Sequence, residues 1–238
     1  MVTLINEMPV IDCLNAAYAK VACAAKAYMG YDKIALFWQQ TDSDNDITAL
    51  ISLVDGVMSL DNLGGDLFAL KEFIKCISPY GVFTDISTAK ALNLKIETEC
   101  DTLFIKPPYN FENAAENTYA GVSYACETVA ERLDVGNINV FKADISHRIR
   151  HDACGYVTTP ASAAFLLYSN NIAIISGIAV KKTNQKTGIG SATLKRLLEI
   201  AKHRPVLVCA EQKNTPFYLK NGFTLNGKFA YCRLGVKF

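Results

Sequence analysis

The stretch over residues 172–198, IAIISGIAVKKTNQKTGIGSATLKRLL, constrains the chain most. Its first nine residues are apolar, rich in β-branched side chains and too few for a helix, which predicts a strand. From Gly190 onward Ala192, Leu194, Leu197, Leu198 and Ala201 recur on one helical face, with Lys195, Arg196, Glu199 and Lys202 on the other. Gly188 and Gly190 therefore stand where a polar loop becomes an amphipathic helix. A helix start presents backbone N–H groups without intrahelical acceptors, and its dipole favours negative charge. Glycines lack the Cβ that would hold an anion off the backbone, and Lys181, Lys182 and Lys186 add positive charge. Two readings stand at this point: a cradle for a pyrophosphate-like anion, or a tight strand-to-helix turn with a solvated basic loop.

A length of 238 residues admits one large or two small domains. The net charge of +1, from 24 basic and 23 acidic residues, supplies no global field for nucleic acid or a membrane surface, so neither partner is expected. The cysteines at 13, 23, 76, 100, 126, 154, 209 and 232 form no C-x-x-C pair and have no histidine at zinc-ligand spacing. They read as reduced, mostly buried thiols, with no metal, in a reducing compartment. Glu7 and Asp12 without a basic lead-in argue against a signal peptide, and no run reaches 18 apolar residues. A soluble cytoplasmic protein is the expectation.

Along the chain, helical spacing predicts a helix over 9–28. Strands follow over 34–40, 47–54 and 57–60, the last two joined by an Asp55-Gly56 hairpin turn. A helix over 66–77, a strand over 80–84, a short helix over 87–91 and a strand over 95–105 complete a first half. The Pro-Pro-containing segment 106–117 reads as a linker. Helices over 118–133 and 140–150 come next, then strands over 155–158, 163–168 and 172–180, the glycine loop and its helix. A strand over 205–210, a short helix over 215–220 and strands over 223–225 and 229–234 end the chain. The halves repeat one order of elements, in pattern and not in letters. The second is longer by about the loop 181–187, and where it has lysines the first has Gly64-Gly65 among Asp55, Asp61 and Asp66.

Two familiar glycine loops fit poorly. No lysine follows Gly190, which rules out a P-loop. The spacing Gly188-x-Gly190 with Glu211 about 20 residues on approaches a dinucleotide fingerprint, but Thr193 stands at the third small position and the preceding strand belongs to a hairpin. The run Gln185-Lys186-Thr187-Gly188-Ile189-Gly190 after Ile178-Ala179-Val180 instead resembles the coenzyme motif of the GNAT superfamily of N-acyltransferases. A second family signature stands at Phe217-Tyr218-Leu219-Lys220-Asn221-Gly222-Phe223. The resemblance covers roughly 144–234; residues 1–110 share only the element order.

The resemblance implies an α+β fold, with a mixed, mostly antiparallel central sheet flanked by helices. It is expected as two tandem GNAT-like halves: 1–110, a degenerate copy without the pyrophosphate loop, and 111–238, the acetyl-coenzyme A (acetyl-CoA) binding, catalytic half. It further implies that backbone at Ile178, Ala179 and Val180 pairs with the pantetheine amides, and that main-chain N–H groups from Gln185 and Lys186 through Thr187, Gly188, Ile189, Gly190 and Ser191 hold the pyrophosphate. Tyr218 occupies the position of the general acid that protonates the departing thiolate. Glu211 is the candidate base; by one count it falls on the family's catalytic acid, by another on a coenzyme-contacting asparagine. Asn214 is either a coenzyme contact or the N-cap before Thr215-Pro216. The implied activity is acetyl transfer from acetyl-CoA to a small-molecule or peptide amine by direct attack, the alternative being a non-catalytic acyl-CoA-binding or regulatory module. The ionisable run 144–152 reads as a charged helix end, a wall of the acceptor cleft, or, with His147 and His151 one turn apart, part of a metal site.

Overall fold

The computed structural model describes residues 1–109 and 119–234. In chain order the elements are β1 (Val2–Leu4), α1 (Ala16–Tyr28), β2 (Ala35–Thr41), β3 (Ile47–Val54), β4 (Val57–Asn62), α2 (Leu67–Ile77), β5 (Gly81–Asp85), α3 (Ile86–Ala91), β6 (Ile96–Ile105), α4 (Val122–Ala130), α5 (Ile138–Arg150), β7 (Cys154–Thr159), β8 (Ser162–Tyr168), β9 (Ala173–Val180), α6 (Ile189–Ala201), β10 (Val206–Ala210), α7 (Thr215–Lys220) and β11 (Thr224–Arg233). The fold is mixed α+β, with mostly antiparallel strand pairing and flanking helices. No helix among the described residues is long and apolar enough to cross a membrane.

Side-chain caps set several helix starts. Asn15 accepts from the Tyr18 N–H at 2.8 Å, so α1 begins at Ala16 and not at residue 9, and Val10 is 90% exposed. Asp66 likewise accepts from the amides of Phe68 and Ala69 at the start of α2. Asp55 and Gly56 both take positive φ, 49° and 75°, as a two-residue hairpin turn between β3 and β4 requires. Two further expectations are corrected and one strand is added. Helix α4 is shorter than 118–133; the two closing strands are one, β11, with Gly227 at φ 120° inside it; and β1, too short for a periodic signal, pairs antiparallel with β2. The linker expected over 106–117 lies largely outside the described residues.

The chain packs as two compact units, Met1–Leu103 with the segment from Cys209 onward, and Phe104–Val208. In the first, the strand order is β1-β2-β3-β4-β5-β11-β6. β4 and β5 run parallel, whereas β11 joins β5 antiparallel, from Phe229 opposite Asp85 to Arg233 opposite Gly81. Because β11 completes this sheet, the compact units do not follow a single cut near residue 110. One sheet face carries Ile51, Met58, Leu60 and Val82 against Leu70 and Ile74 of α2 and Ala89 of α3. Period-two alternation sends Ser52, Ser59 and Asp61 to the other face, where alanine-rich α1 lies across β3 and β4.

Asp61 is 2% exposed; its Oδ1 accepts from Asn15 Nδ2 at 2.9 Å, and no partner reaches Oδ2 among the described residues. Burial pushes its carboxyl from the ordinary 3.8 up to about 6; the Asn15 bond opposes this and the Asp85 charge adds to it. A carboxyl raised in the folded state is favourable while protonated, so its contribution is lost as pH rises from about 4 through 6. Asp61→Asn is therefore expected to stabilise the protein at pH 7.5 by up to about 3 kcal/mol, for two pKa units at about 1.4 kcal/mol each. Urea midpoints should converge with those of the parent by pH 4; a gap independent of pH would refute the assignment.

In the second unit the order is β10-β9-β8-β7, antiparallel except for β9 with β10. Ala163 and Phe165 of β8 and Ala179 of β9 pack with Ala125 and Val129 of α4 and Ile145 of α5. Ser162, on the alternate face of β8, meets Thr193 of α6, so α6 covers the opposite side.

Candidate functional site

Strand β9 pairs with β8 along its length, from Ala173 opposite Tyr168 to Val180 opposite Ser162. With β10 it pairs only over Ala173–Ile175. Its second half, 176–180, thus runs past that ladder and offers main-chain groups to an extended ligand. Ile178 and Ala179 lie in this half; the Val180 carbonyl already accepts from Gln185 Nε2 at 3.4 Å.

The loop is held by short-range bonds. Lys181 N–H donates to Ala161 O at 2.8 Å, a single 3-10 turn spans Lys182–Asn184, and Thr187 Oγ1 donates to Asn184 O at 2.7 Å. Lys186 and Gly188 then take left-handed conformations, φ 64° and 88°. A Cβ at Gly188 would meet nothing within 4 Å, so glycine serves the backbone conformation and not a steric gap. Gly188 caps α6 without a side chain, and the first helical bond is Ala192 N–H to Gly188 O at 3.1 Å. The amides of Ile189, Gly190 and Ser191 precede that bond and have no intrahelical acceptor.

A row of hydroxyls anchors this helix start. Thr193 Oγ1 donates to Ile189 O at 2.8 Å, since a carbonyl only accepts. Thr193 has one proton, so Ser162 must donate to it at 2.7 Å, and Thr159 in turn to Ser162 at 2.7 Å. The turn between β7 and β8 is thereby tied to the first turn of α6. Thr193→Val keeps the volume but removes the bonds to Ser162 and to Ile189 O, an expected loss of about 1–3 kcal/mol. A urea midpoint equal to that of the parent would show that the row does not anchor the helix.

Lys181 does not simply surround the loop with charge. Its Nζ lies 3.0 Å from the Tyr124 hydroxyl of α4 and 5.2 Å from that ring's centroid, and Tyr124 donates to Pro160 O at 2.9 Å. The bond to Tyr124 pushes the Lys181 amine up. No local pattern announces Tyr124, which is 57 residues from its partner.

The other expected site residues lie in the first unit. Tyr218 of α7 is 5% exposed, with its ring 5.0 Å from Phe217 and 5.4 Å from Phe223. Burial, and secondarily the neighbouring Cys209, push its phenol well above the ordinary range, so it keeps its proton at neutral pH. Glu211 is exposed and pairs with Lys213 Nζ at 2.5 Å. Asn214 stands at the cap position of α7 in a right-handed helical conformation, and its side chain makes no capping bond. The start of α7 is fastened by Thr215 Oγ1, which donates to Asp101 Oδ2 at 2.6 Å, a contact absent from the sequence reading.

On α5, Arg148 Nε bonds Asp144 Oδ1 at 2.9 Å, as the one-turn spacing predicts. The His147 and His151 rings stack at 4.0 Å, and His151 Nδ1 lies 2.8 Å from His147 O. Among the described residues no group of three or more His, Cys, Asp or Glu is placed to hold a metal ion.

Residues 148–223 match the model of the acetyltransferase (GNAT) family. No curated protein matches the chain by sequence. Among solved structures, a GCN5-related N-acetyltransferase from Kribbella flavida is similar over 94% of this chain and 98% of its own, at TM-score 0.59 and 10% identity. Another from Sphaerobacter thermophilus is similar over 93% and 94%, at TM-score 0.56 and 13% identity. A tandem GNAT protein of the clavulanic acid biosynthesis pathway is similar over 93% and 95%, at TM-score 0.54 and 10% identity. The motif-bearing region, the matched model and the shared fold agree: residues 148–223 match the GNAT-family model, and the chain has the GNAT fold.

Proposed function

We propose that the protein is an N-acetyltransferase that moves an acetyl group from acetyl-CoA to the amine of a small molecule or peptide by direct attack. The observation that carries this reading is the start of α6. Three successive amides without helical acceptors follow a left-handed glycine cap, beside a strand edge that outruns its partner. Phosphates suit such a terminus through both the open donors and the dipole. In this reading the amides from Gln185 to Ser191 take the pyrophosphate and the edge at Ile178 and Ala179 takes the pantetheine arm. Asn214, whose side chain makes no capping bond, is left for a coenzyme contact.

Attack on a thioester needs a neutral amine, and at a reference pKa near 10.4 only about one lysine side chain in two thousand is neutral at pH 7. Glu211 is assigned to accept that proton, directly or through water. Tyr218 is assigned to protonate the departing thiolate, a role suited to a phenol that burial keeps protonated. The N-terminal half is read as a degenerate copy: β3, β4 and β5 repeat the hairpin and parallel pair of β8, β9 and β10, while Asp66 caps the helix where the second copy has Gly188. The chain's eight free cysteines suit a reducing, cytoplasmic setting.

The test is release of free coenzyme A thiol from acetyl-CoA with a panel of small amines and peptide N-termini, alongside calorimetric binding of acetyl-CoA. Turnover with at least one amine is expected. Binding without thiol release from any of them would replace the enzyme by an acyl-CoA-binding module.

A further inference from the structure

The helix that carries Tyr218 has little local means of support. α7 has six residues, and a helix of that length is marginal in water without tertiary contacts. Asn214 makes no capping bond, and the first turn holds no acidic side chain. What fixes that turn comes from far back in the chain: Thr215 Oγ1 donates to Asp101 Oδ2 at 2.6 Å, and Asp101, on β6, is 9% exposed. A carboxylate at a helix start also suits the dipole. Asp101, Thr215 and Tyr218 all belong to the first compact unit. There β6 is held beside β11, its neighbour in the sheet, with Cys100 Sγ donating to Phe229 O at 3.7 Å. At its other end α7 is closed by Asn221 Nδ2, which donates to Phe217 O at 2.7 Å, and by the Phe223 N–H, which donates to Tyr218 O at 3.1 Å.

Tyr218 follows Thr215 by three residues, so the two are neighbours on the helix surface, one turn apart. A long helical side chain leans back over the turn that precedes it, so the Tyr218 ring takes its position from the turn that Asp101 fixes. We infer that Asp101 is a positioning residue for the proposed proton donor: through Thr215 it sets where the Tyr218 phenol stands, and so gives the first half of the chain a part in catalysis. This rests on the reading of Tyr218 as the acid. A donor must stand within hydrogen-bond reach of the departing sulfur, and a displacement of about 1 Å can cost about a hundredfold in rate. Asp101 acts on the reaction only through the helix, without touching either substrate.

The test uses the full chain. Asp101→Ala and Thr215→Val break the bond from its two ends; each should lower kcat by about tenfold to a hundredfold and leave calorimetric binding of acetyl-CoA within about twofold of the parent. Thr215→Ser keeps the hydroxyl and should keep the rate. In a Tyr218→Phe background neither bond-breaking substitution should lower kcat further, whereas general damage to the fold would lower it again. A second readout is independent of turnover. With carbon-13 at the tyrosine ζ position, the Tyr218 resonance, identified by its loss in Tyr218→Phe, should move in Asp101→Ala and Thr215→Val and stay in place in Thr215→Ser. An unmoved resonance, a parental kcat in both bond-breaking variants, or a further fall in the Tyr218→Phe background would overturn the assignment. The unmoved resonance removes the positioning role alone, whereas a parent chain that releases no thiol with any amine removes the proposed activity and this role with it.

Discussion

Replacing Gly190 with aspartate should give a folded protein that no longer binds acetyl-CoA. Gly190 is the second residue of α6, among the amides that precede the first helical bond. Aspartate is favourable there for the helix itself, by roughly 0.3–1 kcal/mol from the dipole, and removing a helical glycine adds roughly 0.5–1 kcal/mol. The urea midpoint should therefore stay level or rise. For the ligand the same carboxylate is repulsive: two like charges 4 Å apart cost about 4 kcal/mol at an effective dielectric of 20. The dissociation constant measured by calorimetry should rise by more than about a hundredfold. An unchanged affinity in the folded variant would remove the helix start from the binding site, and with it the observation on which the proposed function rests.

The second large effect is expected at Tyr218. Phenylalanine fits between Phe217 and Phe223 as the tyrosine ring does, so the fold should tolerate the change. A proton donor to the leaving thiolate contributes about 10² to 10⁴ in rate, so kcat should fall in that range while the KM for acetyl-CoA stays within about twofold. In the parent, a phenol pushed up by burial keeps its proton through the neutral and mildly alkaline range. No alkaline loss of rate from this group should appear below the ordinary phenol value near 10. A Tyr218→Phe enzyme with parental kcat would exclude the residue from the mechanism. Glu211→Gln on the same assay separates acid from base. Its deficit should be large for an alkylamine near pKa 10.4 and small for an α-amine near 8, because the latter needs less help to lose its proton.

How far the site was legible depends on the range over which its parts act. The left-handed glycine, the strand before it and the amphipathic helix after it are local, and β-branched runs, 3.6-residue spacing and glycine placement report on local structure directly. Tyr218 was legible as a position, through the motif around it, but its raised pKa was not, since that comes from burial. Asn214 shows the limit of a local rule: asparagine before Thr-Pro is a strong cap signal, yet the backbone there is already helical and Thr215 finds Asp101, 114 residues away. Tyr124 beneath Lys181, and Ser162 beneath Thr193, are likewise contacts between elements that no spacing along the chain encodes.

By itself the sequence determined the order of strands and helices between α1 and α7, the hairpin at Asp55-Gly56 and the loop-to-helix junction at Gly188, because each is written in neighbouring residues. Only the tertiary structure decided that β11 completes the first sheet beside β5, that β9 pairs with β10 for three residues and then runs on, and that Thr215 meets Asp101. Strand partners are chosen by which hydrophobic faces a packed core can bury together, and that choice can join segments far apart in the chain, as it joins β5 and β11.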